Sequence, residues 1–90
     1  MKILVTNEHI RSGLQCCIYF CPVALALRDA GLGEPSVSAE TLCFYPSPPF
    51  RGRREVIKPP RHVSDFIRKF DSGLRSDVAS FEFEINVEAP

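Results

Sequence analysis

The chain lacks several features that would assign a function class at once. It has no tryptophan, two histidines and no formal net charge at pH 7, so no whole-molecule field attracts nucleic acid or an anionic membrane. No apolar run approaches the roughly 18–20 residues that span a bilayer. The apolar run near the N-terminus, residues 3–5, is too short for a secretory signal. These absences predict a cytoplasmic protein whose electrostatic function depends on local clusters of charge.

What is present is an ordinary globular composition. The chain has 90 residues, of which 44% are hydrophobic and 24% are charged, and these values exclude a disordered chain. A chain of this length makes one domain, residues 1–90, near the lower size limit for an independent core. Neither an internal repeat nor a change of composition marks a second domain.

The spacing of apolar residues predicts an α+β fold of a single domain. Strands are predicted over residues 2–6, 36–45 (with a bulge near 39–40), 55–58 and 81–88. The last of these alternates strictly between apolar and polar residues. Helices are predicted from Thr6 or Asn7 to Arg11, from Cys21-Pro22 to about residue 29, and over the apolar repeat that ends before Gly73. The order β-α-α-β-β-α-β fits a small antiparallel or mixed sheet with helices on one face, either ferredoxin-like (split βαβ) or another small α+β sandwich.

The same patterns predict the core. The third helix has apolar residues at i, i+3, i+4 and i+7, and its end at Gly73 would allow Leu74 to pack back on it. The second helix is apolar on all sides and the last strand has one apolar face. The residues expected to be largely buried are Leu25, Leu27, Phe66, Ile67, Phe70, Phe81, Phe83 and Ile85.

Positive charge is concentrated in one part of the chain. Seven of the eleven lysines and arginines fall between residues 51 and 69, next to a loop, residues 46–54, that holds three prolines and a glycine. Arginine binds phosphate oxygens through a planar fork of donors, and an aromatic ring can stack on a base. We therefore predict a binding site for a phosphorylated ligand, with Phe44 as a further stacking candidate, formed by Tyr45, Phe50, Arg51, Arg53, Arg54, Lys58 and Arg61.

Two simpler interpretations of this cluster stay open. The loop is either a solvated basic segment, or it pairs with the acidic face of the last strand, which carries Glu82, Glu84 and Glu88. These carboxylates are also candidates for holding a cation. However, alternate strand residues lie about 6.5–7 Å apart along the strand, so one ion would not contact all three. A solvated sheet face is the favoured interpretation of the acidic row.

The cysteines do not form a recognisable metal motif. Cys16, Cys17 and Cys21 are close in sequence, with Cys43 and His9 as distant further ligands, but structural zinc sites need two closely spaced pairs. We predict free thiols, no metal and no cofactor. Cys21 lies at a predicted helix N-terminus, a position that lowers a thiol pKa, so its reactivity stays open. Catalytic sets of Ser, His and Asp or of paired carboxylates are not evident, which predicts a protein that is not an enzyme.

The chain also resembles a group of small proteins. The segment 21–27 (CPVALAL), preceded by Ile10 and Gly13, and the pattern VxxFIxxFDxG at residues 63–73 resemble uncharacterised proteins of bacteria and their phages. The resemblance covers about residues 2–85, whereas the arginine loop and Cys16 lie outside it. It implies a bacterial or phage cytoplasmic origin and an accessory or counter-defence role. It transfers neither an activity nor a site.

Together these observations predict a non-catalytic binding protein that captures a phosphorylated small ligand, of the nucleotide-signal type, through the arginine loop. The alternative is an inhibitor that docks on a host protein through a sheet edge or residues 46–54. Nucleic-acid binding on the sheet is disfavoured because its clearest strand exposes acidic residues. The sequence leaves homo-oligomer formation open.

Overall fold

The computed structural model describes residues 1–74 and 78–86. In this part of the chain the elements are, in order, β1 (Lys2–Val5), α1 (Asn7–Ser12), α2 (Pro22–Asp29), β2 (Gly33–Val37), β3 (Leu42–Tyr45), β4 (Glu55–Ile57), α3 (Arg61–Asp71) and β5 (Phe81–Glu84). The α+β class is confirmed. The predicted element order is kept, except that the strand predicted over 36–45 is a hairpin of two strands.

The predicted bulge near residues 39–40 is the turn of this hairpin. Ser38 closes it, because its hydroxyl accepts a hydrogen bond from the Thr41 N–H (3.0 Å) and its N–H donates to the Thr41 carbonyl (2.8 Å). Serine side chains that bond to nearby backbone groups favour turns over strands. The chain therefore reverses direction where the alternation of apolar residues suggested a continuous strand.

The strands form two small antiparallel sheets, β1-β5 and β2-β3-β4. In the first sheet Ile3 pairs with Phe83 and Val5 with Phe81, which places these apolar side chains on the core face, whereas Lys2, Glu82 and Glu84 lie on the other face beside the exposed Leu4. Among the described residues no strand pairing joins the two sheets. The arrangement therefore differs from the single four-stranded sheet of a split βαβ fold.

Both sheets and all three helices contribute to one core. Six predicted core residues are buried: Leu27, Phe66, Ile67, Phe70, Phe83 and Ile85. Leu25 and Phe81 are half-buried instead, because α2 and β5 each keep one side near solvent. The periodicity did not identify Ile3, Leu42 and Phe44 as core residues, although all three are fully buried.

The helix ends follow from local chemistry. Thr6 caps α1 by accepting from the His9 N–H, and His9 Nδ1 in turn accepts from the Thr6 N–H (3.0 Å), so histidine takes the place of the usual Glu or Gln in a capping box. α3 ends at Asp71 with Ser72 as its C-cap, and Gly73 after the cap has φ of +86°. The Gly73 and Leu74 N–H groups donate to the carbonyls of Phe70 and Lys69, the Schellman pattern. Leu74 does not pack back as predicted, since its side chain is 44% exposed.

The first two helices are held against each other by a close approach and a hydrogen bond. A side chain at Gly13 would place a Cβ atom 2.6 Å from the Pro22 ring, so only glycine fits there. His9 Nε2 lies 2.6 Å from Asp29 Oδ2 at the end of α2. Within the described ranges the longest helix, α3, has 11 residues, and no helix there is long and apolar enough to cross a membrane.

Candidate anion-binding site

The structure places four of the seven predicted site residues in two separate grooves. Arg53 and Arg54 line a surface groove of about 730 Å³ beside β4, together with Glu55, Val56 and Asn86. Lys58 and Arg61 line a second cleft of about 430 Å³ between the β2–β3 turn and the start of α3. Tyr45, Phe50 and Arg51 line neither of them.

Arg54 is largely occupied within the protein. Its Nε donates to Cys43 Sγ (3.1 Å), and its Nη2 donates to the carbonyls of Glu34 (2.7 Å) and Cys43 (3.1 Å). The guanidinium carbon lies 5.0 Å from the centre of the Tyr45 ring. The hydrogen bond to Cys43 is the main cause that raises the pKa of Arg54 above its ordinary value. Arg54 is therefore a permanent cation that clamps β2 and β3.

The aromatic candidates for base stacking also contact the protein. Phe44 is fully buried, so it is excluded from a stacking role. Tyr45 lies under the Arg54 guanidinium. The Phe50 ring packs on Gly33 so closely that a Cβ atom at position 33 would overlap the ring.

The acidic face of β5 does not pair with the arginine loop. Glu82 lies 3.5 Å from Lys2 Nζ, and Glu84 lies 3.5 Å from the N-terminal amino group. Glu88 lies outside the described residues. Arg51 and Arg53 are exposed and, in the part of the chain that the structure describes, have no ion-pair partner. The interpretation that the loop is neutralised by the acidic row is therefore wrong for Glu82 and Glu84.

The second cleft combines cations from β4 and α3. Lys58 directly follows β4, Arg61 is the first residue of α3, and Arg68 lies on the same side of that helix two turns later. The Ser64 hydroxyl donates to the Ala39 carbonyl (2.7 Å) and thereby holds the β2–β3 turn against the helix. The cleft is a consequence of this contact, because the turn forms one wall and α3 the other.

The charges of the cleft are only partly compensated. Arg68 lies 3.8 Å from Glu40 and 3.9 Å from Asp65, both on the surface. Within residues 1–74 and 78–86, neither Lys58 nor Arg61 has an ion-pair partner. The first turn of α3 contains no acidic residue, and its N-cap, Pro60, makes no side-chain cap. The positive end of the helix dipole therefore adds to the charge of two unpaired cations.

Sequence reasoning missed three polar residues of this cleft: Glu40, Ser64 and Arg68. A signal for two of them existed, because Arg61, Ser64 and Arg68 are spaced i, i+3 and i+7 and must share one side of a helix. Glu40 gave no such signal, since it reaches the cleft only because the predicted strand is a hairpin.

The cysteines form no disulfide, and all four thiols are free. Burial raises the pKa of Cys21, although the N–H groups of Val23 and Ala24 act in the opposite direction. The helix N-terminus thus lowers this pKa as expected, but burial outweighs it and the net shift is upward. Cys16 is exposed, and its N–H donates to Asp71 Oδ1 (2.9 Å). Among the described residues, no group of three or more His, Cys, Asp or Glu side chains is arranged to hold a metal ion.

The chain was compared with known proteins at three levels. No family model, no curated protein and no solved structure matches it.

Proposed function

We propose that the protein is a non-catalytic binder of a small phosphorylated ligand, which it holds in the cleft between the β2–β3 turn and α3. The observation that carries the proposal is the pair of uncompensated cations, Lys58 and Arg61, at the start of a helix whose first turn has neither an acid nor a side-chain cap. Cations beside a helix N-terminus form a favourable environment for a phosphate group.

The dimensions and composition of the cleft support a small ligand. Its volume of about 430 Å³ falls within the range of about 300–1,000 Å³ that is usual for ligand pockets. A phosphate would contact Lys58 and the Arg61 guanidinium, and Arg68 would meet a second anionic group of the same ligand. Glu40 lies on the opposite wall and is paired with Arg68, so it limits the affinity for anions. The cleft residues bind charge, and the proposal assigns them no chemical step.

A nucleotide-type signal is one ligand of this class, and it is the ligand that the sequence favoured. In this proposal Arg51 and Arg53, both exposed, attract the anion from solution rather than hold it. The counter-defence role, the phage origin and the cytoplasmic location stay predictions from the sequence.

The proposal is tested by calorimetry on the purified protein with inorganic phosphate, inorganic pyrophosphate and mono-, di- and cyclic nucleotides. We expect binding that the double substitution Lys58→Gln with Arg61→Gln weakens at least tenfold. A charge-assisted hydrogen bond contributes about 1.5–3 kcal/mol when it is shielded from water, and less when exposed. The melting temperature should stay unchanged, because among the described residues neither side chain has an ion-pair partner to lose.

Two variants serve as matched controls. Arg51→Gln with Arg53→Gln removes the same charge from the neighbouring loop and should reduce affinity less than threefold. Glu40→Gln removes the competing carboxylate and should increase affinity. If the loop variant abolishes binding while the cleft variant retains it, the site is the arginine loop and the proposed cleft is wrong. If the wild type gives no heat with any ligand of the panel, the small-ligand function fails.

A further inference from the structure

The segment between α1 and α2 carries a short apolar surface. Ile18, Tyr19 and Phe20 are consecutive in this segment, and their side chains are 44%, 53% and 47% exposed. Single exposed apolar residues are normal on a protein surface, whereas adjacent ones form a patch that indicates an interaction site. Residues 18–20 are called the apolar loop below.

The backbone that carries the apolar loop is held in place. The carbonyls of residues 17–20 all accept hydrogen bonds, from Cys21, Val37, Arg28 and Leu14 in turn. Three of these donors are backbone N–H groups, at 2.8–3.1 Å. Because the backbone is already ordered, binding through the three apolar side chains would cost little conformational entropy.

Side chains of opposite charge flank the apolar loop. On one side, Arg28 Nη2 donates to the Tyr19 carbonyl (3.4 Å), and the guanidinium carbon lies 5.0 Å from the centre of the Phe20 ring. On the other side, the Cys16 N–H donates to Asp71 Oδ1 (2.9 Å) at the end of α3. Arg28 is exposed and Asp71 is half-buried, and among the described residues neither has an ion-pair partner. The apolar loop therefore lies between one cation and one anion.

This pattern of charge fits a second copy of the same surface. In a two-fold dimer both copies use one patch, so a residue on one side of the patch meets the residue from the other side of the partner's patch. Two apolar loops packed about such an axis would set Arg28 of each copy opposite Asp71 of the other. An anionic membrane or a nucleic acid would be attracted by Arg28 but repelled by Asp71. The surface is thus complementary to itself.

The size of the apolar loop determines how stable such a dimer would be. An aromatic side chain buries about 150–250 Å² when fully enclosed, so each half-exposed ring offers about 75–125 Å². With Ile18 included, the apolar loop supplies on the order of 200–300 Å² per copy, whereas a standard interface buries about 800 Å² on each partner. The dimer should therefore be weak, with a Kd on the order of 0.1–1 mM.

From this self-complementarity we infer that the apolar loop is the interface of a weak two-fold dimer of this chain, in which Arg28 of each copy lies opposite Asp71 of the other. The apolar side chains form the centre of the interface, and the two charge pairs fix the relative orientation of the copies. The inference does not depend on the proposed function, because Lys58 and Arg61 line a separate cleft.

The association is measured by sedimentation equilibrium of the purified chain from about 0.02 to 2 mM. The average mass of the wild type should rise toward that of a dimer. Ile18→Asp should stay monomeric, because it places a charge at the centre of the apolar loop. Val56→Asp makes the same kind of change at a side chain that is 63% exposed on β4, and it should associate like the wild type.

The charge pairs are tested by two variants that are measured separately and as a mixture. Arg28→Glu alone and Asp71→Arg alone should each stay monomeric over the same range, because like charges then face each other across the two-fold axis. Mixed in equal amounts, the two variants should associate again, since every introduced charge now faces its opposite in the other chain. This recovery also shows that both variants are folded.

Several results would overturn the inference. One is a wild type that stays monomeric up to 2 mM, and another is a dimer that Val56→Asp dissociates and Ile18→Asp does not. A mixture of the two charge variants that fails to associate, while the wild type does, excludes the two-fold pairing of Arg28 with Asp71. Binding of the monomer to phosphatidylglycerol vesicles that Ile18→Asp abolishes, without any dimer, would identify a lipid surface as the occupant instead.

Discussion

At the residue scale, Cys21 shows two physical effects in opposition. Its position before α2 gives its sulfur access to the N–H groups of Val23 and Ala24, which favour the thiolate. Its side chain is nevertheless buried, and the loss of hydration raises its pKa by more than those N–H groups lower it. The buried thiol therefore behaves as a small apolar side chain, whereas Cys16, which is exposed, is the accessible thiol of the same segment.

This raised pKa predicts a loss of stability in alkaline solution. Below about pH 8.5, the ordinary thiol pKa, both the folded and the unfolded chain keep the Cys21 proton, so the free energy of unfolding is unaffected. Above that pH the unfolded chain ionises first, and the free energy of unfolding falls until the pH passes the folded pKa. Urea midpoints measured from pH 7 to 10.5 should fall more steeply for the wild type than for Cys21→Ala.

Cys16→Ser is the control for this measurement, because it removes an exposed thiol. Its urea midpoints should follow those of the wild type across the whole pH range. If Cys21→Ala instead shows the same alkaline slope as the wild type, burial of the thiol has no influence on stability and the assignment is wrong.

At the element scale, the Arg54 clamp holds together parts that are far apart in sequence. Its partners are Glu34 in β2 and Cys43 and Tyr45 in β3. Glu34 has φ of +45°, beside the break in register between Gly33 and Ser36. The Arg54 hydrogen bond to its carbonyl therefore stabilises a backbone conformation that residues other than glycine rarely adopt.

Loss of the clamp should destabilise the three-stranded sheet. Arg54→Gln removes charge-assisted hydrogen bonds to two carbonyls as well as the contact with the Tyr45 ring. We expect the free energy of unfolding to fall by about 1–3 kcal/mol, measured by urea denaturation. Arg53→Gln, one residue away and exposed, should leave it within about 0.5 kcal/mol of the wild type. Equal stability of the two variants would show that the clamp contributes nothing.

Some of these helices and strands were predictable from the sequence and others were not. α3 was recognisable because its apolar residues repeat within a single helix, and the two inward residues of β5 followed from alternation. The hairpin of β2 and β3 was not recognisable in the same way. The hydrogen bonding of the Ser38 hydroxyl ends the first strand, although apolar residues occur on both sides of this point. The pairing of the strands could not be predicted either, since β1 and β5 pair although they come from opposite ends of the chain.

The candidate site was predictable to a similar degree. Clustering of cations in residues 51–69 was visible in the sequence, and Lys58 and Arg61 do share a cleft. The separation of Arg54 from them was not visible, because its hydrogen-bond partners come from two other strands. The positions of charged residues along a sequence indicate which side chains lie near one another. Whether such a side chain is already hydrogen-bonded within the protein depends on the folded backbone.

At the scale of the whole molecule, two separate sheets are joined by one core. Ile3 and Phe83 from the first sheet and Leu42 and Phe44 from the second belong to the same cluster of buried side chains, to which α3 contributes Phe70. Since no strand pairing links the sheets within the described residues, their connection depends on these side chains. Unfolding of one sheet would expose the apolar face of the other.

We therefore expect Phe70→Ala to destabilise both sheets together. Truncation of a buried phenylalanine costs about 3–5 kcal/mol, a large part of the roughly 5–15 kcal/mol that stabilises a typical domain. Thermal unfolding followed by far-ultraviolet circular dichroism and by the fluorescence of Tyr45, in a Tyr19→Phe background, should give one coincident transition at a lower temperature. Leu14→Ala, at a side chain that is 54% exposed, should melt like the wild type. Near-native melting of Phe70→Ala, or two separate transitions, would contradict a shared core.

The attachment of the loop over residues 46–54 has an evolutionary consequence. Phe50 rests on Gly33, and Arg54 holds Glu34 and Cys43, so the loop is fixed at its middle and at its end. Descendant sequences should tolerate more change at Arg51 and Arg53 than at the two fixed points, and should accept insertions between those points. They should retain glycine at position 33 and change positions 43 and 54 together. In a lineage that had lost Arg54, residue 34 would be expected to become glycine.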